Sequence, residues 1–157
     1  MTKRIVFPII GLFVLVGVIH AQQFTIQERL GYPKDTKLLI IHADDLGLSH
    51  SENLASMYAM ENGTVNSGSI MVPCPWFPEI AAYARSHPDA DVGLHLTLTS
   101  EWEFYKWGPV LPSNEVPSLI NEQGFLYDGI ENSFQNAKDQ DIETDDKRCR
   151  QCNTDPG

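Results

Sequence analysis

Apolar residues in this chain fall in short runs separated by polar turns, and their spacing alternates between a strand-like and a helix-like period. Lys37 to Ala43 is a compact apolar run with β-branched residues, which predicts a first strand. Ser49 or Ser51 can then cap a helix running to about Glu61, with Leu54, Met57, Tyr58 and Met60 on or near its apolar side. Asn62-Gly63 ends it. Ser69 to Val72 predicts a second strand, broken by Pro73-Cys74-Pro75. Phe77 to Arg85 predicts a second helix ending near His87-Pro88, and Val92 to Leu98 a third strand. Strands and helices alternating across short joints predict an α/β domain with a parallel sheet and crossover helices. Residues 99 to 129 hold Trp102, Phe104, Tyr105 and Trp107 without a clear period, and predict a long loop serving as a lid or substrate wall. Gly129 to Ala137 can start another helix, whereas residues 138 to 157 carry no hydrophobic stripe and read as a disordered tail.

The two ends change this picture. Lys3 and Arg4 precede an apolar run from Ile5 to Ile19, and Ala21 follows. A basic start, a short apolar core and a small residue at the cleavage point predict a signal peptide over residues 1 to 21, hence export to the periplasm or the medium. Cleavage leaves no lasting membrane anchor. The whole chain carries a net charge of −10, which becomes −12 without Lys3 and Arg4. Such an acidic chain is a poor partner for nucleic acid. Its three cysteines, Cys74, Cys149 and Cys152, are too few for a disulfide scaffold. The Cys149-x-x-Cys152 pair has no second pair to complete a zinc site.

Candidate chemistry sits at the strand ends. In sheets of this kind the carboxyl ends of the strands form the reactive rim. Asp44 and Asp45 follow the first apolar run and precede Gly47. Adjacent carboxylates repel and lose hydration when buried, so the pair calls for a cation. A regular strand would send the two side chains to opposite faces, but the Leu46-Gly47 turn can aim both at one rim. One would bind a metal and the other act as general base on metal-bound water; the alternative is a helix cap or Asx-turn. His95 shares a strand face with Gly93 and Thr97, a small and polar surface suited to a cavity. It reads as a metal ligand or, alternatively, as a core histidine bonded to backbone. His42 shares a face with Asp44 and reads as a residue supporting that acid rather than as a ligand. His50 reads as facing solvent, and His87 as offsetting a helix dipole. Trp102, Tyr105 and Trp107 offer flat faces for sugar rings, or anchor the loop. Acids at a first strand end also occur in aspartyl-phosphate proteins, against which the signal peptide and His95 argue.

His42-Ala43-Asp44-Asp45-Leu46-Gly47-Leu48-Ser49 and Gly93-Leu94-His95-Leu96-Thr97-Leu98-Thr99-Ser100-Glu101-Trp102 resemble two signatures of the YdjC-like carbohydrate deacetylases, and Gly68-Ser69-Ile70-Met71-Val72-Pro73 matches the strand between them. The resemblance covers roughly residues 26 to 137 and fades near Lys138. It implies a distorted (β/α) barrel that removes acetyl groups from N-acetylated sugars with a divalent metal, Mg2+ or Zn2+. By position, Asp45 resembles the metal-binding Asp, Asp44 the base and His95 the first histidine ligand. The family's later histidine ligand has no counterpart, because no histidine follows His95. The implied organisation is a lead-in over residues 22 to 36, a partial deacetylase-like domain over 37 to 137, and an aberrant tail over 138 to 157. The chain thus reads as the truncated N-terminal part of the barrel and an incomplete N-deacetylase; the alternative is a non-catalytic carbohydrate-binding fragment or an inactive truncated product. An open barrel would leave apolar faces inviting self-association into a homo-oligomer.

Overall fold

The computed structural model describes residues 24 to 154, so the expected signal peptide lies outside the described residues. The chain divides into two units, residues 1 to 38 and 39 to 157. In the first, Thr25 caps the short helix α1 (Ile26–Arg29). Its hydroxyl accepts from the Glu28 N–H while the Glu28 carboxylate accepts from the Thr25 N–H, at 3.3 and 2.9 Å. This reciprocal box satisfies two donors that a helix start otherwise leaves open.

The second unit is built on a parallel three-stranded sheet in the order β1 (His42–Leu46), β2 (Ser67–Ile70), β3 (Val92–Leu94). Helix α2 (His50–Glu61) joins β1 to β2, and α3 (Phe77–Ser86) joins β2 to β3. The predicted alternation is present, with shifted boundaries. The apolar run before His42 is not strand: Leu39 and Ile40 are 75% and 74% exposed. Laddering with β2 starts only at His42, opposite Ser67. Before it, the Asn66 side-chain oxygen accepts the Ile41 N–H at 2.9 Å, so a side chain stands in for the ladder. Strand β3 likewise stops at Leu94, leaving Leu96 and Leu98 exposed.

Two apolar clusters hold the unit together. Leu46, Ile70, Ile80 and Tyr83 pack between sheet and helices, with Met57 and Met60 against them. Gly68 lets these layers close, since a Cβ there would lie 2.6 Å from Met60 Cε and 2.7 Å from Leu46 Cδ1. Gly68→Val is therefore expected to destabilise the fold by about 1–3 kcal/mol through overpacking, read as a lower urea midpoint at unchanged slope. The second cluster joins Leu48, Met71 and Cys74 to Trp107, Val116, Leu119 and Leu126. The long segment after β3 is thus anchored to the core through Trp107, Val116, Leu119 and Leu126, while Trp102 and Phe104 stay exposed. It includes a 3-10 turn at Pro117–Leu119 and an antiparallel bridge between Ile120 and Leu126. Helix α4 (Ile130–Asn136) follows close to where the sequence predicts one.

The tail needs correction. Disorder is predicted for residues 138 to 157, yet Asp139–Thr154 form a helix, α5. Among its described residues, only Ile142 packs against the second cluster and only Cys149 is a buried apolar side chain, so carboxylates supply much of its docking. Asp141 accepts from the Ser118 N–H and hydroxyl at 3.0 and 2.7 Å, and buried Asp145 accepts from the Leu111 N–H at 2.9 Å. Asp141, Asp145 and buried Cys149 recur every four residues and so share one helix face. The Ser118 hydrogen bonds, side chain then backbone, hold the Asp141 carboxyl below its usual range. A depressed folded-state pKa adds stability above the unfolded value, about 3.9, that is lost as pH falls through the folded value. Asp141→Ala is therefore expected to lower the urea midpoint at pH 7. The gap from wild type should narrow below about pH 4; an equal gap at pH 7 and pH 3 would refute this role.

Candidate metal centre

The site begins with an irregularity in β1. His42 and Ala43 face Ser67 and Gly68, but Leu46 faces Ile70, so the register slips by one residue. Asp44 and Asp45 together stand where β2 offers Ser69 alone, the arrangement of a β-bulge. Asp45 has φ 58, the left-handed region that Asp and Asn enter more readily than other side chains. The slip and this backbone turn bring two successive carboxylates to one side, which a regular strand cannot do. Gly47, at φ 101, completes the turn, and a Cβ on it would lie 3.0 Å from the Met71 carbonyl oxygen.

His95 arrives from the end of β3, its N–H donating to the Ile70 carbonyl at 3.0 Å. Its Nδ1 lies 2.9 Å from Asp44 Oδ1 and 3.3 Å from Asp45 Oδ1. One ligand atom from each of Asp44, Asp45 and His95 falls within 4.8 Å of the other two. Donors held about 2.1 Å from a tetrahedral zinc sit about 3.4 Å apart; the 3.3 Å contact of His95 with Asp45 matches that spacing, whereas its 2.9 Å contact with Asp44 has the length of a hydrogen bond. Two carboxylate oxygens and an imidazole nitrogen suit a divalent cation.

Ser69 is the residue that sequence reading missed. Its hydroxyl donates to Asp44 Oδ1 and lies 3.3 Å from His95 Nδ1. Strand β2 carries two serines, Ser67 and Ser69, and the sequence alone does not separate them. The Ser69 hydroxyl is the main reason the Asp44 carboxyl is held below its usual range, with burial opposing and His95 assisting. Asp45 moves the other way. Burial pushes it up, and Asp44 and Glu101 add to this against the pull of His95. Burial also pushes Glu52 up, with Asp45 and Asp44 adding. The Cys74 thiol is pushed up to about 12, first by burial and then by Asp45, Glu52 and Glu101, so it stays neutral at physiological pH.

The remaining candidates separate. His42 Nε2 is 3.9 Å from Asp44 Oδ1, while its Nδ1 meets the Ser67 hydroxyl at 2.8 Å. His50 is half-exposed but engaged, with Nδ1 2.7 Å from Glu79 Oε1 and its ring centroid 5.0 Å from that of Trp76. The aromatic trio splits. Trp107 is only 3% exposed, its indole N–H donating to the Thr99 carbonyl at 2.9 Å and its backbone N–H to the Ser100 hydroxyl at 3.0 Å. A sugar ring cannot reach it, which corrects its reading as a stacking residue. Tyr105 is partly buried and donates its hydroxyl to the Leu48 carbonyl at 2.9 Å. Trp102 alone of the three stays exposed, with its ring centroid 6.5 Å from that of Tyr105.

Known proteins are similar to this chain in sequence. The chain is 34% identical over 116 residues to a carbohydrate deacetylase of Thermus thermophilus, an alignment covering 74% of this chain and 38% of that protein. It is 38% identical over 90 residues to a chitooligosaccharide deacetylase of Serratia marcescens, covering 57% of this chain and 32% of that one. The chain thus spans about a third of the length of these relatives. A crystal structure of an Enterococcus faecalis V583 protein, proposed to cleave cellobiose-phosphate, superposes with a TM-score of 0.57 at 28% identity, covering 68% of this chain and 39% of that one. The family model described as YdjC-like protein matches residues 38 to 147, running past the point near Lys138 where the sequence resemblance fades and into α5. That match takes in the acid pair, Ser69 and His95 within one continuous stretch, and the chain belongs to the YdjC-like protein family.

Proposed function

We propose that this chain carries the base and two metal ligands of a hydrolase that removes N-acetyl groups from amino sugars or oligosaccharides. Its three strands would be the N-terminal part of a distorted (β/α) barrel. The observation that supports this most is the convergence of Asp44, Asp45 and His95 from two separate strands. Relatives described as carbohydrate and chitooligosaccharide deacetylases supply the substrate class.

Asp45 and His95 would hold the cation, Mg2+ or Zn2+, which when bound polarises an acyl carbonyl and acidifies water. Asp45 suits that role because it is the more enclosed acid, fixed in its turn. Asp44 is the more exposed, with 64% of its side chain open against 34% for Asp45, so water and substrate can reach it. Asp44 would accept the proton of the attacking water, and Ser69, donating to its Oδ1, would hold the carboxylate in place. Trp102 is the open aromatic face for a sugar ring. The basic, apolar and small residues of positions 1 to 21 support an exported protein.

Acetate release from N-acetylglucosamine oligomers tests the reading. It is expected to need a divalent cation, and Asp44→Asn should lower kcat by about 10²–10⁴-fold, the range for loss of a general base. Sugar binding that survives both chelation and His95→Ala, with no acetate from wild type, would favour a non-catalytic carbohydrate-binding role.

A further inference from the structure

Asn53 is fully buried in a chain whose other buried residues are mostly apolar. It lies on the first turns of α2 and belongs to neither the acid pair nor the histidine. A carboxamide in such a place must find partners for both ends, since an unpaired buried polar group is strongly destabilising. Its Oδ1 accepts the Gly47 N–H at 2.7 Å. Its Nδ2 donates to the Trp76 carbonyl at 3.1 Å and to Glu79 Oε2 at 2.8 Å. The partners fix the orientation of the amide, because an N–H needs an acceptor while a carbonyl and a carboxylate need donors.

Gly47 is held from both sides. The Trp76 N–H donates to its carbonyl at 3.0 Å, so Asn53 and Trp76 together clamp the turn that ends β1 to the start of α3. The Leu48 N–H closes the same turn on the Asp45 carbonyl at 3.1 Å. Asp45 occupies a backbone region that persists only where its surroundings hold it. Glu79, the far end of the clamp, is fixed in turn by His50 at 2.7 Å.

We infer that Asn53 is a positioning residue: through Gly47 it holds Asp45 in the left-handed conformation that brings both carboxylates to His95. This rests on the metal-site reading above, but the geometry it controls exists without a cation. A carboxylate at this position would still accept from Gly47 yet could not donate to Trp76, and it would face Glu79 as a like charge.

The test compares Asn53→Asp, Asn53→Ala and the double variant Asn53→Asp/Glu79→Gln in the full chain. In cation-free buffer, both single variants should speed Gly47 amide hydrogen exchange by at least about tenfold and shift the His95 ring resonances. In the double variant the amide introduced by Glu79→Gln can donate to the new carboxylate, so both signals should return towards wild type. In the second arm, Zn2+ affinity by calorimetry should fall about 10–100-fold in the single variants, the usual effect of losing a group behind a ligand, and recover in the double one. Should Asn53→Asp fail to fold, Asn53→Ala carries the same comparison without a buried charge. A lower Tm with unchanged His95 resonances and unchanged Zn2+ affinity would overturn the inference, because a residue that only stabilises the fold behaves that way. If wild type binds no Zn2+, the metal-site reading fails while the cation-free arm still decides the role of Asn53.

Discussion

Asp45→Asn is expected to raise the Tm of the cation-free protein and to abolish the further rise expected of wild type on adding Zn2+ or Mg2+. Both halves come from one geometry. The Asp45 carboxylate is partly enclosed, and burial, Asp44 and Glu101 all disfavour its charge. Its folded pKa is raised, so the carboxyl favours the fold most when protonated and loses that advantage as pH climbs through the folded value. At neutral pH the ionised group therefore opposes folding unless a cation offsets it, and a neutral amide removes the repulsion. Asparagine also tolerates φ 58, whereas Asp45→Ala adds about 1–2 kcal/mol of left-handed strain and should gain less. Wild type at a free cation concentration of about 100 Kd should gain about 2.7 kcal/mol. Losing a ligand should weaken binding at least about a hundredfold and so remove nearly all of that. Differential scanning calorimetry with and without cation gives both numbers. An undiminished cation-induced rise in Asp45→Asn would rule out Asp45 as a ligand.

Trp107→Ala is expected to cost about 3–5 kcal/mol of stability, the usual range for deleting a buried tryptophan. Against a total of about 5–15 kcal/mol for a typical domain, that approaches unfolding. The ring lies in a cluster with Leu48, Met71, Cys74, Val116, Leu119 and Leu126, and also loses its bond to the Thr99 carbonyl. Trp102→Ala removes an exposed ring and should change stability by no more than about 0.5 kcal/mol while weakening sugar binding. Urea unfolding of the two variants beside wild type separates anchor from platform. Equal costs would mean that Trp107 is not core.

The sequence showed the alternation well and the boundaries poorly. Short strands carry little pattern, and apolar content alone cannot say where a ladder begins: Leu39 and Ile40 look like strand yet have no ladder partner before His42. Helix α5 was missed because hydrophobic periodicity is blind to a helix docked by acids. Asp141 and Asp145 read as solvated charges until loop N–H groups from Ser118 and Leu111 are seen to meet them. The aromatic trio stayed open between stacking and anchoring for a related reason. Trp107 and Trp102 have the same side chain, and only packing separates the buried one from the open one.

The chain by itself determined its family, a parallel strand-helix order, and the nomination of Asp44, Asp45 and His95, because those depend on local spacing and on residue chemistry. It could not determine that the three converge. That took a one-residue slip between β1 and β2, a left-handed turn at Asp45, and a β3 register that carries His95 up to Ile70. Ser69 and Asn53 became visible only then, since a hydroxyl or a carboxamide has no role until its partners stand within hydrogen-bonding distance. Residues far apart along the chain meet through pairing between strands, and that pairing exists only in the folded state.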